Sequence, residues 1–372
     1  MVVADRRPTK ITVSQSAIAH NLAVVRKQAQ AEQVFFVVKA NAYGYGILPM
    51  SQGAVAAGAE GLAVAVLDEA LALREAGITL PILILGIVDV KYAKVMAQAG
   101  IIATVCTLAW LTEAEALLAD SNDQLLVSLA VDTGMGRIGF RDRAPLLQAI
   151  NYLQKQASHL VYHGLMTHFA ESDTSTTAYF KEQVDHWHRL VDGIPQPPMV
   201  HVANSGAAMY HAAEIPTQTI RAGAVVYGME PSEGVVRADD YLMPVITLES
   251  ELVFVQQHPA GDGISYGHEY RTYAGEWIGT VPIGYGDGLS RNLQKGFTVL
   301  VDGFACPIVG QIAMDQLMVS LPKELPVGSR VTFIGENHGV KRTLTDMAQA
   351  SNQSLWEVTI AFSERIKRSL VD

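Results

Sequence analysis

Apolar positions come in short, dense runs along the first two thirds of the chain. Residues 34–39, 61–66, 81–86, 101–105, 125–131, 161–166, 199–203 and 220–226 each form a near-continuous apolar stretch of strand length. Runs of this size without polar alternation are the mark of strands buried on both faces, as in parallel sheets. The segments between them carry helical patterning. Residues 68–76 read as a helix that stops where Gly77 supplies the left-handed cap. Residues 16–28 place Ile18, Leu22 and Val25 on one helical face ahead of the first run. Eight strand–helix units predict a closed (β/α)8 barrel, an α/β architecture, rather than an open doubly wound sheet. After about residue 240 the rhythm changes. Residues 248–256, 277–283, 298–301, 305–311, 316–321 and 330–334 are strand-like and separated by Gly, Pro and Asp turns. This predicts a second, mostly antiparallel β domain, so the expected division is a barrel over 1–240 and a β domain over 241–372. No internal repeat or low-complexity linker interrupts either part.

Composition narrows the picture. The chain has 372 residues, too many for one barrel of ordinary size, which supports two domains. A formal charge of −10 disfavours a binder of nucleic-acid backbone, which needs a concentrated basic surface. No apolar run approaches the ~18 residues that cross a bilayer, and the opening MVVADRRPTK has no apolar stretch behind its arginines, so neither a membrane partner nor a secretory signal is expected. Two cysteines, Cys106 and Cys306, make no disulfide framework. The expectation is a soluble protein of a reducing compartment, the cytoplasm.

Candidate chemistry begins where the first run ends, in Val37-Val-Lys-Ala-Asn-Ala-Tyr-Gly-Tyr-Gly46. A lysine that closes an apolar run sits at the C-terminal end of a barrel strand, the face where barrel enzymes build their sites. A lone lysine there would read as snorkelling to solvent. The glycines and tyrosines that follow favour a ligand loop.

The sequence resembles the alanine racemases. VVKANAYGYG is similar to that family's pyridoxal-phosphate lysine motif, and the likeness continues through DTGMGRIGF (132–140), THFAESD (167–173), HVANSGA (201–207), RAGAVVYG (221–228), GISYGHEY (263–270), IGYGDG (283–288) and GQIAMDQ (310–316). It implies a cofactor-binding barrel, a C-terminal β domain and a head-to-tail homodimer with active sites shared between subunits. Pyridoxal 5'-phosphate is the implied cofactor, and no metal is implied. Lys39 would hold the cofactor and serve as one base, which requires an amine able to lose its proton near neutrality. Tyr266, from the partner subunit, would be the opposed base. Arg221 would hydrogen-bond the cofactor ring nitrogen; a guanidinium stays protonated, so the ring nitrogen would not, which suits proton exchange at one carbon over transamination. Tyr43, Asn204, Ser205, Gly223 and Ala224 would recognise the phosphate. Ser205 after a strand could aim backbone N–H groups at an anion, and Gly223 would permit close approach. His168 would link Tyr266 to Arg221. Arg137 would orient the substrate carboxylate, with Met314 and Asp315 of the partner completing the substrate end and Tyr285 near the entrance.

Four positions, in three places, depart from the family pattern. Ala130 stands where members commonly carry a carbamylated lysine that holds the equivalent of Arg137. A bound anion such as chloride is expected to take that place, with Asp132 as the protein alternative. Gln311-Ile-Ala313 replaces the usual Arg-Ile-Cys, and Trp356 aligns with the tyrosine that usually reaches the phosphate. The implied activity is interconversion of L- and D-alanine, supplying D-alanine for cell-wall peptidoglycan. The alternatives are a serine or broader-specificity amino-acid racemase on the same scaffold, or a non-catalytic pyridoxal-phosphate carrier. A carrier would have no use for the β domain with Tyr266, Met314 and Asp315.

Overall fold

The computed structural model describes residues 2–236 and 241–372. Two compact units emerge, one of residues 15–40 and 50–245 and one of residues 1–14, 41–49 and 246–372. The boundary expected between 240 and 241 adjoins residues 237–240, which lie outside the described residues.

Strand β1 (Lys10–Ser14) belongs to the second unit. The first unit is built on eight parallel strands: β2 (Gln33–Val37), β3 (Gly61–Val64), β4 (Ile82–Ile84), β5 (Ile101–Val105), β6 (Leu125–Ala130), β7 (Leu160–Met166), β8 (Met199–His201) and β9 (Thr219–Ala222). Each strand from β2 to β8 pairs with the next, and β9 pairs with β2. The remaining seam is bridged by the Arg221 N–H, which donates to the Ala203 carbonyl at 3.0 Å, so the sheet is a nearly closed barrel. All eight expected runs are strands, because their side chains are buried on both faces: every residue of β3, β4 and β5 is buried. The helix Gln15–Ala29 buries Ile18, Leu22 and Val25 as its spacing predicts. The helix Leu67–Glu75 ends before Gly77, whose φ is +84°. The eighth run is shorter than expected, because Gly223 turns the chain into a tight 3-10 turn over Ala224–Tyr227. The Tyr227 hydroxyl, buried, donates to the Val37 carbonyl at 2.7 Å and so fixes the end of β2, two residues before Lys39.

The second unit is a mostly antiparallel sheet. After β10 (Ile246–Glu251) and β11 (Phe254–His258) come a short ribbon of β12 (Gly263–Ile264) and β13 (Tyr270–Arg271), then β14 (Glu276–Val281), β15 (Thr298–Val301), β16 (Phe304–Val309), β17 (Leu317–Leu321), β18 (Arg330–Asn337), β19 (Val340–Arg342) and β20 (Lys367–Val371). The order across the sheet is β11-β14-β17-β16-β15-β18-β10-β1-β20, with β19 on β18. One expected strand, 248–256, is two. The Leu252 N–H bonds to the Ser329 carbonyl and the Val253 N–H to the Thr280 carbonyl, so the backbone changes partner between these residues. Two helices, Leu344–Ser351 and Leu355–Ala361, interrupt the β pattern, each opened by a reciprocal cap: Thr343 with Asp346, and Ser354 with Glu357. Among the described residues no helix is long and apolar enough to cross a membrane.

The segment after Lys39 has an unusual backbone. Ala40, Asn41, Ala42 and Tyr43 have φ of 54°, 52°, 51° and 51°, a left-handed turn made of L residues. Each residue so held costs about 1–2 kcal/mol. The turn closes with N–H bonds from Gly44 and Gly46 to the Asn41 carbonyl and from Tyr45 to Ala42, and the Asn41 side chain accepts from the Ile47 N–H at 2.8 Å. Within the second unit, Arg368 Nε donates to the Gly44 carbonyl at 2.8 Å, and the Tyr43 ring lies 5.0 Å from that of Trp356. Gly44, at φ +85°, is pressed against the Leu355–Ala361 helix: a Cβ there would stand 1.8 Å from the Thr359 carbonyl oxygen. Gly44→Ala is therefore expected to cost about 3 kcal/mol, from steric overlap and positive φ together. A thermal scan should show a clear fall in melting temperature for this variant and a smaller fall for Gly58→Ser, which bears the strain of φ +82° alone because its Cβ meets nothing within 4 Å.

Candidate active site

The C-terminal ends of the barrel strands gather the polar residues of the first unit. Lys39 lies beyond β2 and is half-buried. Burial first, and then the positive charges of Arg137 and Arg221, hold its amine below the ordinary lysine value, while the Glu69 carboxylate pulls the other way. Glu69 also fixes the chain at this point. It accepts from the Ala40 N–H at 2.6 Å and from the Ala65 N–H at 2.8 Å.

Arg221, in β9, is 3% exposed. A buried guanidinium must find acceptors for its donors, and the strand ends supply them. Its NH2 group donates to the Thr167 carbonyl at 2.8 Å, the Val202 carbonyl at 3.3 Å and Nδ1 of His168 at 3.3 Å. Its NH1 group donates to Nδ1 of His201 at 2.8 Å and to the His201 carbonyl. Because Arg can only donate, both histidines present unprotonated Nδ1 atoms to it. The opposite nitrogen of His201 then carries the proton and donates to Ser128 Oγ at 2.9 Å. Burial, followed by the charge of Arg221, holds His201 well below the ordinary histidine value and brings His168 down to about 3, so both are neutral. Burial also brings Arg221 down to about 9, which leaves it protonated at neutral pH. No described residue accepts from Nε of Arg221.

Asn204, after β8, caps the helix Ser205–Tyr210 with Oδ1, which accepts from the Ala207 N–H at 2.9 Å and from Ser172 Oγ at 2.8 Å. Its Nδ2 donates to the Phe169 carbonyl at 3.3 Å. Asn204 thus ties the loop after β7 to the start of this helix. Ser205 Oγ accepts from the Gly223 N–H at 2.9 Å, so its own proton is free to donate elsewhere. The backbone N–H groups of Gly206 and Ala224 find no acceptor among the described residues. Two adjacent turns therefore offer open donors beside a serine hydroxyl.

Arg137 is exposed, on the loop that leaves β6 after the buried Ala130 and returns when the Phe140 N–H bonds the Ala130 carbonyl at 2.8 Å. It makes no ion pair or hydrogen bond with a described residue. Asp132, expected as its protein partner, is committed elsewhere: Oδ1 accepts from the N–H groups of Gly134 and Gly136, both at 3.0 Å, and Oδ2 lies 3.8 Å from Arg141. A turn with glycines at 134 and 136 needs that carboxylate for its own backbone, which removes it from Arg137.

The second unit carries the remaining candidates. Tyr266, Tyr285 and Met314 are all exposed, at 69%, 42% and 52%. The Tyr285 N–H bonds the Ala313 carbonyl at 3.1 Å and the Gly286 N–H the Met314 carbonyl at 2.9 Å, so these loops are knit together. Asp315 accepts from Arg365 at 2.7 Å. Arg365 also reaches Asp287, which Arg7 grips with two hydrogen bonds of 2.7 and 2.9 Å. Trp356 packs on Tyr43, and burial pushes the Tyr43 phenol up. His201, Ser128 and Glu69 were not legible as site residues from sequence; the one signal was a histidine at the end of a strand, which His168 shares.

Comparison with known proteins decides the family. Residues 13–231 match the model of the alanine racemase N-terminal domain, and residues 245–370 that of the C-terminal domain. The chain belongs to the alanine racemase family. A protein named lysine racemase from Oenococcus oeni is 48% identical over the full length of both chains. The crystal structure of alanine racemase from Oenococcus oeni superposes with a TM-score of 0.94 at 46% identity, covering all of both chains. A histidine racemase from Leuconostoc mesenteroides superposes equally well, with a TM-score of 0.94 at 35% identity over the whole of each chain. Alanine racemases act on amino acids, are typically dimeric and use pyridoxal 5'-phosphate. The residues present fit that cofactor: a lysine amine held below its ordinary value, a buried arginine with Nε unspent, and open N–H groups with the Ser205 hydroxyl for a phosphate.

The neutral histidines carry a stability consequence. An unfolded histidine takes a proton near pH 6.5, and His168 in the fold does so only near 3, so the unfolded chain binds more protons between these values. The contribution is complete above about pH 6.5 and is lost progressively as pH falls toward 3. His168→Gln removes the titration, and its acid-unfolding midpoint, followed by circular dichroism, should lie at lower pH than that of the parent relative to their stabilities at pH 7.5.

Proposed function

We propose that this protein interconverts L- and D-alanine by a two-base mechanism, in the cytoplasm, and supplies D-alanine for cell-wall peptidoglycan. The observation that carries the reading is Arg221, whose donors are consumed by strand-end carbonyls and two neutral histidines, save Nε. When bound, pyridoxal phosphate supplies an electron sink that acidifies the substrate Cα–H. Lys39 would hold the cofactor and, with its amine proton affinity lowered by burial and neighbouring cations, would take or return the α-proton on one face. Tyr266 of the partner subunit would serve the other face. Arg221 would donate from Nε to the ring nitrogen and keep it unprotonated, since a guanidinium does not yield its proton; this limits delocalisation and favours return of the proton to Cα. Ser205, Gly223 and Ala224 would hold the phosphate, with Tyr43 and Trp356 beside it. Arg137 would orient the substrate carboxylate, His168 would connect Arg221 to Tyr266, and Met314, Asp315 and Tyr285 would finish the substrate end in a head-to-tail homodimer. The exposure of Tyr266, Tyr285 and Met314 in a single chain supports a partner surface there.

A second reading is favoured by two of the likenesses. Proteins named for lysine and for histidine stand among the similar chains. On that reading the substrate range extends beyond alanine to serine and to larger, basic amino acids.

One experiment separates the readings. Purified protein loaded with pyridoxal phosphate, reduced with borohydride and digested, should carry its adduct on Lys39; an adduct on another lysine refutes the base assignment. The same preparation offered L-alanine, L-serine, L-lysine and L-histidine should turn over alanine fastest under the first reading, and lysine or histidine at least as fast under the second. The replacement for the lost carbamate is separately testable. If chloride sits beside Arg137, activity should rise with halide concentration and Ala130→Lys should weaken that dependence; activity indifferent to chloride excludes it.

A further inference from the structure

Tyr266 lies in the ribbon between β12 and β13. Tyr266 is 69% exposed, so packing among the described residues does little to aim the phenol. Its direction is left to the backbone beneath it, and that backbone is unusual. Ser265 has φ 66° and ψ −169°, a region that glycine alone occupies freely, and Gly267 and His268 follow with φ of 75° and 52°. A serine stays there only if its surroundings hold it.

They do so from one segment. Ser265 Oγ donates to the Gln311 carbonyl at 2.6 Å. Gly310, at φ +68°, lies so close that a Cβ would stand 2.5 Å from the Ile264 carbonyl oxygen and 2.9 Å from the Ser265 Cβ. Beyond the tyrosine, the Gln311 side chain donates to Glu269 Oε1 at 3.1 Å and accepts from Arg291 at 2.7 Å. Gly310 and Gln311 therefore grip the loop on both sides of Tyr266, at Ser265 before it and Glu269 after it, and leave the phenol between two anchors.

We infer that Ser265 is a positioning residue for Tyr266: its hydroxyl, bonded to the Gln311 carbonyl, holds a backbone conformation that sets where the phenol points. This rests on the reading of Tyr266 as the second base. Glycine at 265 could adopt the same angles and many others, so it would fold but lose the aim. Alanine would keep the strain and lose the bond.

The test uses the pyridoxal-phosphate-loaded protein in deuterated water with D-alanine and L-alanine separately, measuring deuterium in recovered starting enantiomer against deuterium in inverted product. When Tyr266 is misdirected, a proton removed on the Lys39 face returns to that face more often, so exchange with retention rises relative to inversion for one enantiomer only. Ser265→Gly and Ser265→Ala are expected to lower turnover about ten-fold, the size of one lost hydrogen bond of typical worth, and to raise that ratio about five-fold for a single enantiomer. Tyr266→Phe should show the same asymmetry in a more extreme form. A ratio unchanged in both Ser265 variants, or exchange and inversion falling together for both enantiomers, overturns the positioning role while leaving Tyr266 as the base. A ratio unchanged in Tyr266→Phe overturns the base assignment itself, and the inference with it. Because Ser265→Gly relieves the backbone, it remains informative if Ser265→Ala does not fold.

Discussion

The barrel's functional end depends on keeping one positive charge dry. Arg221 has no carboxylate among its hydrogen-bond partners; it is neutralised only by dipoles, the carbonyls of Thr167, His201 and Val202 and the imidazoles of His168 and His201. Those acceptors come from the ends of β7 and β8, and the arginine comes from β9, so its solvation holds three strand ends in register. Neutral acceptors leave the cation's charge uncompensated, and that charge acts on everything nearby: it is one of the causes that lower Lys39, His168 and His201. A carboxylate in the same place would have cancelled the field that makes the lysine a usable base.

A second constraint is paid in conformation rather than charge. The left-handed turn of Ala40–Tyr43 would not persist in an isolated peptide, since three of its four residues have no intrinsic tolerance for positive φ. It holds because Glu69 takes the first N–H, Asn41 takes the N–H of Ile47, and Arg368 takes the Gly44 carbonyl. The backbone that follows the lysine is thus fixed residue by residue through its own hydrogen bonds.

These features differ in how far the chain announces them. The eight barrel strands are legible because residues buried on both faces must be apolar throughout, and Lys39 is legible because a charge closes such a run. The helix starts at Thr343 and Ser354 carry capping signals that the β rhythm around them masks. His201 is invisible as a site residue, since nothing in His-Val-Ala-Asn distinguishes an arginine acceptor from any histidine at a strand end. The left-handed turn is equally hidden, because Ala-Asn-Ala-Tyr has no glycine and its conformation is imposed by contacts distant in sequence. Tyr266, Met314 and Asp315 rest on family likeness; their local sequence marks only exposed loops. Asp132 shows the opposite error: proximity in sequence made it a partner for Arg137, while its carboxylate answers the two N–H groups of its own turn.

The placement of β1 bears on how the protein is made. β1 pairs in parallel with β20 and antiparallel with β10, in register from Lys10 against Lys367 and Glu249. During synthesis β1 leaves the ribosome before any barrel strand, and β20 leaves after all of them. The barrel can collapse around its own apolar strands as soon as β9 is available, whereas β1 must remain unpaired for most of the translation time with an open edge on both sides. Its alternation of Ile11 and Val13, fully buried in the finished sheet, with Lys10, Thr12 and Ser14 keeps one face of the waiting strand polar. The nascent chain thus carries an apolar stripe, Ile11 and Val13, that stays uncovered until β10 and then β20 have been made.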